Sequence, residues 1–100
     1  MTEIIFEHKY IDQNGDIIEI KILKVPKTTD NLDGVSYSLV YIKEGKLILG
    51  YDNFEGHRIN GNCNHKHINN RLERYEFIDE WKLIDDFMKD VEKIKKRSLK

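Results

Sequence analysis

Two segments in which apolar and polar residues alternate, joined by an Asn-Gly pair, most strongly constrain how this chain can fold. The alternation runs from Thr2 to Ile11 and again from Ile17 to Val25. Side chains of a β-strand project to its two faces in turn, so each segment predicts a strand with one buried face. Asn14-Gly15 lies between the two segments and is the strongest short-range signal for a hairpin. The residues predicted to face the core in the first strand are Ile4, Phe6, His8 and Tyr10.

A second pair of alternating segments predicts a second hairpin. It runs from Val35 to Lys43 and from Lys46 to Tyr51, with Glu44-Gly45 as the turn. A shorter segment, Arg71 to Phe77, also alternates and predicts a fifth strand. Consecutive hairpins favour an antiparallel sheet, here of four or five strands. His8 lies on the apolar face of the first strand, so it is predicted to be a hydrogen-bonded core residue rather than a catalyst.

The C-terminal segment predicts one amphipathic helix, from about Asp79 to Arg97. Asp79 is a good N-cap, and the negative charge of Glu80 in the first turn is favoured by the helix dipole. Apolar residues recur at helical spacing and form a stripe wide enough to cover one sheet face. The stripe comprises Trp81, Ile84, Phe87, Met88, Val91 and Ile94, and the acidic residues Asp85, Asp86 and Asp90 are expected on the exposed side. The predicted fold class is α+β, a sheet covered on one face by a helix.

Length and charge limit the domain organisation and the partners. One hundred residues can bury one modest core, so residues 1–100 are predicted to form a single domain. A net charge of -1 gives no global electrostatic reason to bind nucleic acid or an anionic membrane. One cysteine cannot form an internal disulfide, and there is no long apolar run, so a soluble, cytoplasmic protein with no membrane partner is expected.

Residues 51–75 concentrate the side chains that can do chemistry. Three of the four histidines, His57, His65 and His67, lie there with the only cysteine, Cys63. The Gly and Asn residues among them favour loops over regular structure. Polar groups on a loop that follows a strand are often functional, so this stretch is the candidate site.

The histidines and cations of this stretch suit metal-independent cleavage of RNA, with no cofactor. Imidazole ordinarily titrates at about pH 6.5, so it can serve as base or acid at neutral pH. The reaction needs a base for the 2′-hydroxyl, an acid for the leaving 5′-oxygen, and cations for the phosphate. The candidate acid–base groups are His57, His65 and His67, and the candidate substrate-binding residues are Tyr51, Arg58, Lys66, Arg71, Arg74 and Tyr75.

Other interpretations of the same stretch are open. One is a zinc site formed by Cys63, His65, His67 and His57, because an extended segment would project the first three from one face. The spacing of these residues departs from the usual zinc-ligand patterns. Another is a non-enzymatic binding module, dimeric through an exposed sheet edge, whose histidine loop docks a protein or a metal. The simplest is a solvated polar loop.

Several short motifs resemble the TumE-like family of small prokaryotic proteins. The motifs are Tyr37-Ser38, the Gly-Lys-Leu-Ile segment at residues 45–48, Tyr51-Asp52-Asn53, His57 and His65-Lys66-His67. The chain departs from the family pattern at Gly50, where arginine is usual, and at Asn64, where histidine is usual. By this resemblance the residues to test are Tyr51, Asp52, His57, His65, Lys66 and His67.

The resemblance implies a toxin of a type II toxin–antitoxin module. Its partner would be a cognate antitoxin, usually one that carries a helix-turn-helix DNA-binding domain, and Asp52 would join the substrate-binding residues. By analogy with other small toxins, RNA is the expected substrate. A decayed, inactive toxin is the alternative, because the chain departs from the family pattern at Gly50 and Asn64.

Overall fold

The computed structural model describes residues 3–28, 33–53, 64–69 and 71–98. In these ranges six strands form one antiparallel sheet in chain order, and a C-terminal helix packs on one face of it. The elements are β1 Glu3–Ile11, β2 Ile17–Lys24, β3 Val35–Lys43, β4 Lys46–Asp52, β5 His65–Ile68, β6 Arg71–Arg74 and α1 Glu80–Ser98. The predicted α+β class is confirmed. The sheet has one strand more than expected, because residues 65–68 pair with both β4 and β6.

Asp12 organises the turn between β1 and β2. Its backbone N–H donates to the Asp16 carbonyl at 3.0 Å. Its carboxylate accepts hydrogen bonds from the backbone N–H groups of Asn14, at 2.8 Å, and Asp16, at 3.0 Å. Gly15 has a φ of 82°, a conformation that glycine adopts easily because it lacks a Cβ. The predicted first hairpin is confirmed.

The other two hairpins turn on residues with positive φ. Glu44 and Gly45 have φ values of 53° and 75°, the combination that a type I′ turn requires, and this turn was predicted. Asn69, which follows β5, has a φ of 55°, and asparagine tolerates this region better than most residues. The last strand ends at Arg74, three residues before the predicted end at Phe77.

The hydrophobic core lies between α1 and the strands β2, β3 and β4. Leu83, Phe87 and Val91 of α1 are almost fully buried there. The strands contribute Ile18, Ile20, Ile22, Val35, Tyr37, Leu39, Tyr41, Leu49 and Tyr51. Asp79 caps the helix as predicted, because its Oδ1 accepts a hydrogen bond from the Lys82 backbone N–H at 2.8 Å.

The buried stripe of α1 is narrower than the sequence predicts. Trp81 is 61% exposed and Met88 is 40% exposed, although their spacing places both in the apolar stripe. The buried line of the helix is Leu83, Phe87 and Val91, and Ile84 and Ile94 beside it are only partly buried against the core. Within the described ranges, no helix combines the length and the apolar character needed to cross a membrane.

β1 is an edge strand that extends beyond the helix layer. Phe6, His8 and Tyr10 lie opposite core isoleucines of β2, so they point to the core face as predicted. The same prediction is wrong for Ile4, because a register shift between Ile4 and Phe6 sets Ile4 opposite Leu23, and Ile4 is 65% exposed. The helix packs mainly on β3 and β4, however. Tyr10 is therefore 50% exposed, and His8 is exposed as well. The prediction that His8 is a core residue is wrong, because its strand lies outside the area that α1 covers.

Leu83→Ala is expected to lower the free energy of unfolding by about 2–5 kcal/mol, since it leaves a cavity beneath α1. Met88→Ala, a matched truncation at an exposed position of the same helix, should cost only about 0.5 kcal/mol. Urea denaturation followed by circular dichroism measures both values. Equal losses in the two variants would contradict the burial of Leu83.

Candidate functional site

Strand alternation divides the polar residues of β4 and β5 between the two faces of the sheet. In the β4–β5 ladder Tyr51 lies opposite Lys66, and Asp52 lies opposite His65. Tyr51 is buried beneath α1, where its hydroxyl donates a hydrogen bond to Asp90. Paired residues point to the same side, so Tyr51 and Lys66 point to the helix face. Asp52 and His65 therefore point to the opposite face.

Asp52, His65 and His67 meet on the face opposite α1 and form what we term the Asp–His–His cluster. His65 Nε2 lies 2.7 Å from Asp52 Oδ1, and His67 Nε2 lies 4.0 Å from Asp52 Oδ2. The two imidazole rings meet edge to face, with centroids 5.0 Å apart and an interplanar angle of 81°. Because β5 is a strand, the two histidines project from the same face. The register then brings the carboxylate of β4 beside them.

The two histidines of the cluster differ in exposure. The His65 side chain is 0% exposed, whereas that of His67 is 32% exposed and that of Asp52 is 19% exposed. A ligand can therefore contact His67 directly. It cannot contact the His65 side chain, which can affect a ligand only through Asp52 and His67. The cluster thus presents one accessible imidazole, next to a partly buried carboxylate that contacts a fully buried imidazole.

The three groups of the cluster are also of the types that bind metal ions. One ligand atom from each lies within 4.8 Å of the others, and imidazole with carboxylate suits Zn²⁺ or Fe²⁺. Two ligand atoms on one tetrahedral zinc lie about 3.3 Å apart, since each is about 2.0 Å from the metal. The 2.7 Å between His65 Nε2 and Asp52 Oδ1 is shorter than this, so the two atoms form a close contact and are not spaced as a preformed pair of zinc ligands. The other predicted candidates in this stretch, His57, Arg58 and Cys63, lie outside the described residues.

On the helix face, two tyrosines and two aspartates form a polar network with Lys66. The Tyr51 hydroxyl donates to Asp90, and the Tyr75 hydroxyl donates to Asp86 Oδ2 at 2.7 Å. Lys66 Nζ lies 3.3 Å from Asp90 Oδ2 and 5.6 Å from the centre of the Tyr51 ring. The expectation that Asp86 and Asp90 lie on the exposed side of the helix is wrong, because each accepts a hydrogen bond from a buried tyrosine.

Burial and these hydrogen bonds set the charge states of the network. Burial raises the pKa of the Tyr51 and Tyr75 hydroxyls well above the ordinary tyrosine value, and the hydrogen bonds to the aspartates raise it further. Partial burial by itself would raise the pKa of Asp86, but the hydrogen bonds from Tyr75 and Lys82 outweigh it and leave that pKa below its usual value. At neutral pH the tyrosines are therefore neutral donors and Asp86 is a charged acceptor.

Comparison with protein families identifies the chain. The family model described as toxin TumE matches residues 2–95. The chain belongs to the TumE toxin family. It is therefore a toxin of a toxin–antitoxin module, and an antitoxin is its partner, as the short motifs predicted. Comparison with curated proteins and with solved structures found no match.

In this TumE-family chain, an asparagine lies on each side of residues 54–63. Both form hydrogen bonds with β3 or with Asp33, which precedes β3. Asn53 Nδ2 donates to the Val35 carbonyl at 2.7 Å, and its Oδ1 accepts from the Tyr37 backbone N–H at 3.1 Å. Asn64 Oδ1 accepts from the Tyr37 hydroxyl at 2.7 Å, and its Nδ2 donates to Asp33 at 3.0 Å. These roles were not predicted. The available signal was an asparagine directly next to the end of a strand, where its side chain can replace a backbone partner.

The predicted cations are divided between the two faces. Arg74 lies opposite His65 in the β5–β6 ladder, so it shares the face of the Asp–His–His cluster. Lys66 belongs to the network beneath α1. Arg71 lies opposite Ile68, which pairs with core residue Leu49, so it points to the helix face. Among the cations predicted within the described ranges, Arg74 is thus the one on the cluster's face.

Tyr75→Phe is expected to lower the free energy of unfolding at pH 7 by about 1–2 kcal/mol, because a hydrogen bond to a charged group is lost. The folded-state pKa of Asp86 is lowered, so this contribution is present above the unfolded carboxyl pKa of about 3.9 and is lost as pH falls through the folded value. Urea denaturation of wild type and variant should therefore give a difference at pH 7 that shrinks as the pH falls through the folded-state pKa of Asp86. Tyr10→Phe, at an exposed ring, is the matched control and should change little over the same pH range.

Proposed function

We propose that this TumE-family toxin cleaves RNA by metal-independent acid–base catalysis, with His67 as the exposed catalytic imidazole. The Asp–His–His cluster supports this proposal, because it holds an accessible imidazole within 4.0 Å of a carboxylate oxygen. The other oxygen of that carboxylate is held at 2.7 Å from the buried His65. Phosphodiester cleavage requires a base, an acid and a cation for the phosphate, and an imidazole can serve as the base or as the acid.

The proposed reaction is an intramolecular attack by the ribose 2′-hydroxyl on the adjacent phosphate. A base removes the 2′ proton, the 2′-oxygen forms a bond to phosphorus, and the bond to the 5′-oxygen breaks. An acid returns a proton to the leaving 5′-oxygen, so the products are a 2′,3′-cyclic phosphate and a free 5′-hydroxyl. His67 takes one of the two proton-transfer roles. His57, outside the described residues, is the candidate for the other.

Asp52 and His65 act on the reaction through His67. The carboxylate of Asp52 stabilises the imidazolium that forms when His67 takes up a proton, as a carboxylate does beside a catalytic histidine elsewhere. The contact with His65 keeps that carboxylate in place, since a side chain with 0% exposure has little freedom to move. Both residues are therefore assigned positioning roles, and direct contact with RNA is left to His67 and the cations.

The cluster's face offers Arg74 as the cation for the phosphate. Arginine can contact two phosphate oxygens at once, and its exposure on β6 leaves it accessible. Arg58 lies outside the described residues and is the second candidate. The antitoxin, which we expect to carry a helix-turn-helix domain, would neutralise the toxin by covering this face and blocking access to His67.

His67→Ala is expected to abolish growth arrest on induced expression and to reduce cleavage of RNA by the purified protein about 100-fold or more. His8→Ala is the matched control, because it removes an exposed histidine from the other face and should leave both readouts unchanged. Soluble protein levels and circular dichroism spectra are compared to show that each variant is folded. The cleaved RNA should carry cyclic phosphate and 5′-hydroxyl ends.

The same assay distinguishes the alternatives. Cleavage that survives a chelator supports acid–base catalysis, whereas loss on chelation and recovery with zinc or manganese would indicate that the cluster holds a metal. If wild-type protein arrests growth but cleaves no RNA, the toxin acts by binding. If it does neither, the proposal fails and a decayed toxin is the better account.

Gly50→Arg is expected to increase the rate of RNA cleavage several-fold. Gly50 lies opposite His67 in the β4–β5 ladder, and a Cβ there would meet its nearest neighbours at 3.8–3.9 Å, an ordinary contact distance. The substitution therefore adds a cation beside the exposed imidazole without crowding the backbone. Gly50→Gln adds a long side chain without charge and should give no gain. A gain of equal size in both variants would show that the charge is not responsible.

A further inference from the structure

The long edge of the sheet carries features that the proposed activity does not use. β1 has nine residues, and within the described ranges it pairs with β2 on one side only. Ile4, Tyr10 and Ile11 are exposed along it, and Pro, which would block pairing, is absent from the strand. A long exposed edge with apolar side chains is a template for another strand. The opposite edge, β6, has only four residues, two of them arginines.

The hydrogen-bond pattern of the first hairpin determines which backbone groups face outward. Asp12 N–H bonds to the Asp16 carbonyl, and hydrogen-bonded pairs alternate with non-bonded pairs along an antiparallel ladder. Tyr10 and His8 therefore direct their backbone groups towards β2. The outward backbone groups belong to the residues between and beside them, Glu7, Lys9 and Ile11.

When two copies of β1 pair antiparallel, their outward backbone N–H and C=O groups meet only in alternate registers. The charges of Glu7 and Lys9 distinguish among these registers. One register sets Glu7 against Glu7 of a second copy, and another sets Lys9 against Lys9, so both place like charges in contact. The intermediate register sets Glu7 against Lys9 twice, once on each side of the two-fold axis. Opposite charges directly across an antiparallel pair stabilise it, and like charges destabilise it.

The intermediate register also extends a charge pattern already present within one chain. Glu7 lies opposite Lys21 in β2, with the charged groups 4.0 Å apart, and Lys9 lies opposite Glu19. Across the new interface, one row would run over four neighbouring strands. It would consist of Lys21 and Glu7 of one copy, followed by Lys9 and Glu19 of the second copy. The signs alternate along the whole row, so every charge has neighbours of opposite sign.

On the helix face the same register brings aromatic side chains together. Phe6 would lie opposite Tyr10 of the second copy, and His8 would lie opposite its own counterpart on the two-fold axis. These residues continue the core face but lie beyond α1, which leaves Tyr10 half exposed. Pairing of aromatic residues across strands adds to the stability of a sheet. The pairing would cover the part of the core face that the helix leaves open.

We propose that two copies of this chain associate through β1, antiparallel, with Glu7 of each copy opposite Lys9 of the other, to form one continuous twelve-stranded sheet. The number of strands is twice the six in the described part of one chain. The two helices then lie on the same face of the joined sheet. The Asp–His–His clusters lie on the other face, three strands away from the joined edge, so dimerisation is independent of the proposed RNA cleavage.

Charge reversal tests the register directly by sedimentation velocity at several protein concentrations. Wild type should show a monomer–dimer equilibrium. The Glu7→Lys and Lys9→Glu variants should each raise the dissociation constant about tenfold or more, because each sets like charges opposite one another twice. An equimolar mixture of these two variants should associate again, since the charges of one are complementary to those of the other. The double variant Glu7→Lys/Lys9→Glu should also dimerise.

Recovery in the mixture shows that neither single variant is merely misfolded. Glu3→Lys, on the same strand but outside the two charge pairs, is the control and should dimerise like wild type. The proposal is overturned if wild type stays monomeric at high concentration or if the two single variants dimerise as well as wild type. It is also overturned if isolated wild type is monomeric and Glu7→Lys instead weakens the complex with the antitoxin, which would identify β1 as the antitoxin's docking edge.

Discussion

The register between β4 and β5 is the constraint on which the rest of this structure depends. It sends Tyr51 and Lys66 beneath α1 and sends Asp52 and His65 to the opposite face. A slip of β5 by one residue would turn its side chains over relative to β4, which β3 holds in place, because strand side chains alternate. His65 would then point beneath α1, away from Asp52, and Lys66 would lose its contact with Asp90. Each buried polar group left without a partner costs about 1–3 kcal/mol, so the observed register is strongly preferred.

The polar network beneath α1 explains why a small core tolerates two tyrosines at its edge. A buried tyrosine needs a hydrogen-bond partner for its hydroxyl, and the helix supplies one for each. Asp86 and Asp90 are four residues apart, so they lie on the same side of the helix one turn from each other. Apolar contacts hold the helix on the sheet, but they leave its rotation weakly defined. The two directional hydrogen bonds define that rotation and link α1 to the strand that carries Asp52.

The sheet separates its structural chemistry from its candidate functional chemistry. The helix face uses tyrosine, aspartate and Lys66 within the protein, whereas the opposite face presents His67 and Arg74 to solvent. For a toxin that must be neutralised by an antitoxin, such a division has a physical advantage. A partner can cover one face without disturbing the core. The β1 edge, at the far end of the sheet, is a third surface with a different composition of exposed apolar and paired charged residues.

Local patterns in the sequence were sufficient for the α+β class, the first two hairpins, the Asp79 cap and the family. Each of these depends on residues close together in the chain: a period of two, a turn pair, or a cap and its helix. The hairpin formed by β5 and β6 was not predicted, because β5 has four mostly polar residues and no alternation of apolar side chains. The exposure of His8 and the partners of Asp86 depended on where the helix lies over the sheet. Only the tertiary structure could bring Asp52 to His65, because that contact is set by strand register, which the local pattern leaves undetermined.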